Sequence, residues 1–585
     1  MKKNKYIVAI SVVLFSIVSC TELDLVPLDT PTTSPFVSTQ QFREGLNEGY
    51  RHVFWIEDDS DNGIDDDKQV RTSLDRIKAG TLTAEDGTVA NNWSVAYKAI
   101  SRILSVKKQI ENQNGVLSDN EINTFLGEAN FLIASNWAYL ITHFGDVPFY
   151  ESQLSVEETF EMSRTDKATI LQKVYAYYDI AISNLPVSYS GYQYATKGAA
   201  LAMKARTALY MGDFETAAQA AKDCMDLGVY ELHPDFSELF SATTRNSKEH
   251  VFTLPRNEEL NIVRGDRIRW YMPRNHGGWG GQGPTWALLA SFECIDGLPI
   301  DESPLFDPQN PFKNRDPRCA KTIIPFGSLE EGDGLLPRDG SNFLGIEFNP
   351  HPEKKEVMNF NTGELTRNND SRSIGAFAPF NGLLWNKGVE ETWKNPFRPD
   401  PNRMIMRYAD VLLMYAEAKI ELNQIDASVL NAMNQVRDRA YANSGHSNPT
   451  ITTTNQAELR YKIRNERRAE FAFEKLRYMD LIRWRIAEKA ITGFHYGLAD
   501  VAANADVNIA PTGPLMDNVV TPGLWFWGLT PELDEDGIAD FNPLVAAGMA
   551  KVLAETNFPE RQYLYPIPIE ETLLSPNLLP NNPGY

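Results

Sequence analysis

The sequence is poor in cysteine, in histidine and in positive charge. Four cysteines occur in 585 residues. Cys20 closes an apolar run near the amino end, which leaves Cys224, Cys294 and Cys319. So sparse and odd a set excludes a disulfide framework. It reads as buried free thiols, with a single bridge as the alternative. The eight histidines show neither His-x3-His spacing nor clustering with cysteine, so no zinc motif is visible. No Gly-x-Ser-x-Gly nucleophile elbow occurs. Past the amino-terminal run nothing is long and apolar enough to read as a transmembrane helix. Lysine and arginine number 56 against 78 acidic residues, a net charge of −22. An acidic surface of this size argues against nucleic acid and anionic headgroups as partners. No cofactor, metal or catalytic group is expected.

What is present begins at the amino end. Lys2, Lys3 and Lys5 precede an apolar run over 6–18 that is too short to span a bilayer. The run ends in Ile17-Val18-Ser19-Cys20. Small residues before a cysteine suit a signal peptidase, and the thiol suits a diacylglyceryl group, so this resembles a bacterial lipobox. Residues 1–19 are therefore expected to be a signal peptide, and Cys20 the lipidated first residue of the mature chain. The only membrane contact is then the lipid. An ordinary secretory signal is the competing reading. Glu22 and Asp24 just past Cys20 resemble an acidic surface-export signal.

Helical periodicity recurs in pairs separated by short turns: 93–110 with 121–144, then 167–184, then 196–211 with 215–227, and 407–422 with 427–440. In the 196–227 pair, Ala199, Ala202, Ala205 and Ala208 face Ala217, Ala218 and Ala221. Gly212 can end the first helix and Asp213 can cap the second. These read as tetratricopeptide-like hairpins without one strict period, an all-α scaffold. Long stretches rich in Gly, Pro, Asn and aromatics lie between them, at 58–67, 255–283, 299–401 and 497–542. Loops this long are expected to carry function.

Several motifs have a sharper and a blander reading. Over 459–484, Glu466, Glu470 and Glu474 fall on one helix face, with Arg464, Arg467, Arg468 and Arg477 three or four residues away. The interleaved signs favour an intramolecular network over acid–base catalysis. Gly278-x-Gly280-x-x-Gly283 lacks the strand a dinucleotide fold needs in front of it, and reads as a flexible glycine loop. Asp58-x-Ser60-x-Asn62-Gly63 and Asp534-x-Asp536-Gly537 begin like calcium loops. Gln69 and Pro543 stand where the bidentate Glu is due, so both read as solvated acidic loops.

The aromatic loops remain. Trp270, Tyr271, Trp279 and Trp286 lie among Arg267, Arg269, Arg274, Asn275 and several glycines. A sugar offers an apolar C–H face that an indole can stack on and hydroxyls that Arg or Asn can bond. Trp270, Tyr271, Trp279, Trp286, Arg269 and Asn275 are therefore the candidate ligand contacts. Trp55, Trp385 and Trp393 are secondary candidates, with core packing as the alternative for each tryptophan. Trp93 and Trp484 are assigned to packing.

A resemblance covers nearly the whole length. Its parts run in order: Leu23-Asp24-Leu25; Trp93-x3-Tyr97; Gly127-Glu128-Ala129-x-Phe131; Phe144-Gly145-Asp146-Val147-Pro148; Asn314-Arg315-Asp316-Pro317-Arg318; Arg407-Tyr408-Ala409-Asp410; Arg464-Asn465-Glu466-Arg467-Arg468-x-Glu470-Phe471; and Leu564-Tyr565-Pro566-Ile567-Pro568. In this the chain resembles the SusD/RagB family of outer-membrane nutrient-binding lipoproteins. One departure is Ile133-Ala134, where that family usually has Arg-Ala, a change expected to remove a charge from the helix surface. The resemblance implies one SusD-like unit over 20–585, with an amino-terminal part to about 255 and a carboxy-terminal part from about 256. It also implies non-catalytic capture of an oligosaccharide or polysaccharide at the cell exterior and delivery to a SusC-like TonB-dependent transporter. A peptide cargo, as in RagB-type members, and a surface glycoside hydrolase are the alternatives.

Overall fold

The computed structural model describes residues 35–56, 63–191, 194–326, 345–351, 354–371, 374–375, 377–389, 397–498 and 529–585. The signal segment, Cys20, residues 58–62 of the acidic loop, Trp393, Trp525 and Trp527 lie outside them.

After α1 (Thr39–Asn47) come α2 (Gly87–Glu111), α3 (Asp119–Phe144), α4 (Lys167–Asn184), α5 (Lys197–Tyr210) and α6 (Phe214–Asp226). Farther along lie α7 (Tyr408–Glu421), α8 (Ala427–Tyr441), α9 (Gln456–Phe471) and α10 (Arg477–Arg483). The expected boundaries hold closely, except that α2 starts at Gly87, where Asp86 accepts the N–H groups of Thr88 and Val89. Ser118 and Glu121 form a capping box on α3. Gly212 takes φ +78° and Asp213 caps α6.

Successive helices pack on one another. α3 lies on α2 and α4, and α5 on α4 and α6. α7, distant in sequence, lies on α6, α8 and α9. The alanines make this close approach possible: Ala199, Ala202, Ala205 and Ala208 of α5 and Ala217 and Ala221 of α6 are fully buried. Ile133 is buried too, at 0 % exposure, so the departure at that position fills the core instead of removing a surface charge. Cys224, Cys294 and Cys319 are buried free thiols.

Paired strands are short. β1 (Lys68–Val70) pairs antiparallel with β3 (Gln282–Pro284), and β2 (His250–Leu254) with β4 (Arg403–Arg407). β5 (Gly493–Leu498) pairs with β6 (Ala550–Thr556). The long stretches are not structureless. They build a second core around Trp286, Leu289, Phe292, Phe312, Leu383 and Trp385, beside the core of the helical scaffold.

A buried ionic network joins the two cores. α9 ends at Phe471, so Glu474 lies beyond the helix instead of continuing its face. Glu470 accepts from Arg318 (3.0 Å), Arg407 (2.6 Å) and Arg439. Glu466 accepts from Arg318 and Arg437, and Glu474 from Arg407 and Lys387. The arginines near them in sequence pair elsewhere. Arg467 reaches Asp410 and Asp480, Arg464 reaches Asp536, and Arg468 and Arg477 reach Asp67 and Asp66. The charge pattern is thus a network, but one of long-range pairs instead of turns along one helix. Burial pushes the Glu470 carboxyl up, but Arg439, Arg407 and Arg318 outweigh it and hold the group well below the carboxylate range. Asp410 is likewise held at about 2, its burial outweighed by Arg206 and Arg467. Burial lowers the Lys387 ammonium to about 8, with Glu474 opposing.

Candidate functional site

The 266–284 segment is built from two 3-10 turns, Asp266–Trp270 and Arg274–His276, and a glycine-rich return into β3. Arg267, Ile268 and Tyr271 of the first turn line an interior cleft, while Arg269 and Trp270 turn to the other side. Trp270 and Trp279 meet edge to face on the outer side, centroids 5.3 Å apart and both half-buried. The backbone fixes them in place: Trp279 N–H donates to the Arg269 carbonyl and Gly281 N–H to the Trp270 carbonyl.

The glycines serve packing. A Cβ on Gly281 would stand 2.1 Å from Trp270 Cε3, so only glycine lets the indole lie flat there, and Gly280 takes φ +53°. The segment is followed by a six-residue helix, Trp286–Ser291, and makes no phosphate cradle.

Around the tryptophan pair stand residues that sequence reasoning missed. The β1–β3 register brings Arg71 to the pair. Its Nη2 donates to the carbonyls of Trp279 (2.7 Å) and Phe377 (2.9 Å). The same guanidinium lies over the rings of Trp270, Phe377 and Phe380 at 5.8, 5.3 and 5.8 Å. Arg269 stacks over Trp279 at 5.1 Å and Phe397 at 4.4 Å. Phe397 holds φ +63°, a strained backbone for an aromatic residue. Phe377 is 59 % exposed. Asn275 anchors the loop: its N–H donates to Asp370, and its Oδ1 accepts from Asn369 N–H. Burial raises the Asp370 carboxyl to about 6, with the N–H groups of Arg274 and Asn275 opposing. The result is an open aromatic platform braced by two arginines, chemistry suited to the apolar face and hydroxyl rim of a sugar.

Of the expected contacts, Trp270, Trp279, Arg269 and Asn275 come together here, and four others do not. Trp286 is 1 % exposed, donates Nε1–H to the Asn381 carbonyl and stacks on Tyr496. Trp385 is fully buried, stacked on Phe473 at 4.3 Å. Both belong to the second core, which leaves no ring face for a ligand. Trp55 is buried, its Nε1–H on the Gly49 carbonyl and its ring against Phe252. Tyr271, also buried, meets Phe473 edge to face. Trp55 and Tyr271 instead edge an interior cleft of about 1070 Å³, between α2, α3, α5, β4 and the inner side of the 266–272 turn.

The carboxylates of the 534–537 loop are engaged in ion pairs. Asp534 and Asp536 bind Lys489, and Asp536 also binds Arg464. Among the described residues no group of three His, Cys, Asp or Glu side chains could hold a metal ion, and no helix is long and apolar enough to cross a membrane.

Residues 241–585 match the sequence model of the SusD family, and 46–209 match one described as starch-binding associating with outer membrane. SusD-like protein P2 of Formosa agariphila is 23 % identical over 622 residues, covering 100 % of both chains. A SusD-like carbohydrate binding protein from Bacteroides fragilis superposes with a TM-score of 0.71 at 26 % identity, over 93 % of this chain and 99 % of that one. A surface glycan-binding protein A from Bacteroides fluxus shares the fold with a TM-score of 0.59 at 18 % identity, over 94 % and 100 %. The helical-repeat scaffold is the fold of these SusD-like proteins. The first match spans more than half of the sequence, and the chain belongs to the SusD family.

Proposed function

We propose that the protein captures an oligosaccharide or polysaccharide on the Trp270–Trp279 platform and passes it to a SusC-type TonB-dependent transporter. In this reading it is tethered by a lipid on Cys20 to the outer face of the outer membrane and performs no chemistry on its cargo. The observation that carries the reading is the half-exposed, edge-to-face tryptophan pair braced by Arg71 and Arg269 on a backbone built to hold it. The two rings stand at right angles and each keeps part of its surface exposed, so they offer apolar area in two directions. Peptide capture is favoured less: the platform presents flat rings and spent backbone groups in place of apolar pockets and free N–H and C=O groups. Hydrolysis would need two carboxylates about 5–9.5 Å apart across a cleft. Asp370, the carboxylate bonded to the platform loop, is buried and occupied by the N–H groups of Arg274 and Asn275.

The test is a binding screen of the chain beginning after Cys20 against polysaccharide and peptide panels, with reducing ends monitored. Glycan binding without release of reducing ends supports the reading. Peptide binding alone, or sugar release, rejects it.

A further inference from the structure

Two short helices of this chain have no inward face. Val156–Glu161 and Ile569–Leu574 bury none of their side chains. So short a helix is marginal in water unless something other than its own backbone holds it. Ser155 and Glu158 hold the first with a reciprocal capping box, so its apolar side chains are not what keeps it folded. Those side chains stand in solvent. Val156 is 68 % and Leu573 74 % exposed, and Phe160, Leu574 and Leu579 are exposed too. The two segments are far apart in sequence but mounted together. Asn577 Nδ2 donates to the Glu161 carbonyl at 3.3 Å. Arg164 Nη1 donates to the Pro580 carbonyl at 2.8 Å, and its Nη2 to Asn582 Oδ1. Asn582 is anchored in turn on the carbonyls of Tyr565 and of Phe144, the last residue of α3. Polar bonds fix the seam and leave the apolar side chains outside. A single exposed leucine is ordinary, whereas a group of large apolar side chains rimmed by charge marks a contact surface.

The rim has one sign. Glu157, Glu158, Glu161, Glu570 and Glu571 stand among these side chains, and none forms an ion pair among the described residues. Arg164, the only cation of 155–164 and 569–585, is spent on the seam. Glu571 feels the crowding: burial and then the neighbouring Glu570 raise its carboxyl above the ordinary value. A second copy of this face, or an anionic lipid surface, would add more negative charge to it. A partner carrying lysine or arginine around apolar side chains would offset it. We propose that this face is a protein-docking surface whose occupant is the transporter, held through an apolar contact ringed by the transporter's basic side chains; this rests on the delivery reading above and adds where on the chain the transporter is held. Neither helix lends a residue to the platform or to the interior cleft, so docking here leaves the tryptophan pair to the cargo.

The test purifies the tagged full chain from detergent-solubilised outer membranes of its own bacterium. The TonB-dependent transporter retained per tagged chain is identified and quantified by mass spectrometry. Retention that falls as salt rises is expected. Phe160→Asp/Leu574→Asp should retain about tenfold less transporter at an unchanged melting temperature, since both side chains are exposed. Glu157→Lys/Glu161→Lys, a second variant altered only at exposed positions, should also retain less and should lose the salt dependence. The proposal is overturned if Phe160→Asp/Leu574→Asp retains the transporter in full, or if retention by the wild type is indifferent to salt. It is also overturned if the purified wild type self-associates in sedimentation while Phe160→Asp/Leu574→Asp does not, which makes a second copy the occupant. A wild type that retains no transporter at any salt overturns the delivery reading itself, so the two failures are told apart.

Discussion

Arginine does two different jobs in two regions of this molecule. In the network around α9, Arg318, Arg407 and Arg467 are nearly inaccessible and bonded to carboxylates from distant parts of the chain. On the platform, Arg71 and Arg269 are half-buried, bonded to carbonyls and laid over aromatic rings. A buried guanidinium needs anionic partners because desolvation is costly. At a surface the same group can brace rings that a ligand will touch. The two regions are joined. Arg468 and Arg477 hold Asp67 and Asp66, which lead directly into β1, and β1 delivers Arg71 to the tryptophans. The network therefore positions the platform from behind.

The largest effect is expected from breaking the network. Glu470→Gln leaves Arg318, Arg407 and Arg439 short of an anion in a dry interior, and should cost about 3–5 kcal/mol in urea unfolding. Acid should act the same way. Glu470 and Asp410 have depressed folded-state pKa values. Their stabilisation is fully present above the unfolded carboxylate value near 4 and is lost as pH falls from about 4 towards 2. Asp370 runs opposite: its raised pKa means that acidifying from about 6 to about 4 relieves a burial cost, so the anchoring turn should not loosen in that window. Unfolding midpoints across pH 2–7 in wild type and Asp370→Asn separate the two contributions. A smaller and more local effect is expected at Gly281. Gly281→Ala drives a methyl into Trp270, so it should cost about 1–3 kcal/mol while weakening glycan binding, with no contact residue removed.

The scaffold was legible because its signals are local. Periodicity, the Gly212-Asp213 turn and the alanine stripes fix α3 to α8 within a residue or two. The platform was half legible. Trp270 and Trp279 stand out in a polar, glycine-rich setting, but Arg71 and Phe377 arrive from remote segments through the β1–β3 pairing and the second core, and no short-range pattern marks them. Trp286 and Trp385 misled for the converse reason: they lie in loop-like sequence that folds into a core of its own. The glycines flanking Trp279 were a usable sign, since glycine at 281 is what the closely stacked Trp270 indole demands.

The central claim is that the outward tryptophans bind glycan while the inward ones only hold the fold, and one paired measurement tests it. Calorimetry with whichever glycan the panel yields, alongside thermal unfolding, compares Trp279→Ala with Trp286→Phe. The account predicts that Trp279→Ala loses about tenfold or more in affinity at an unchanged melting temperature. It predicts that Trp286→Phe, deprived of its bond to Asn381, melts earlier yet binds as the wild type does. Wild-type affinity in Trp279→Ala, or loss of binding in a folded Trp286→Phe, would contradict it.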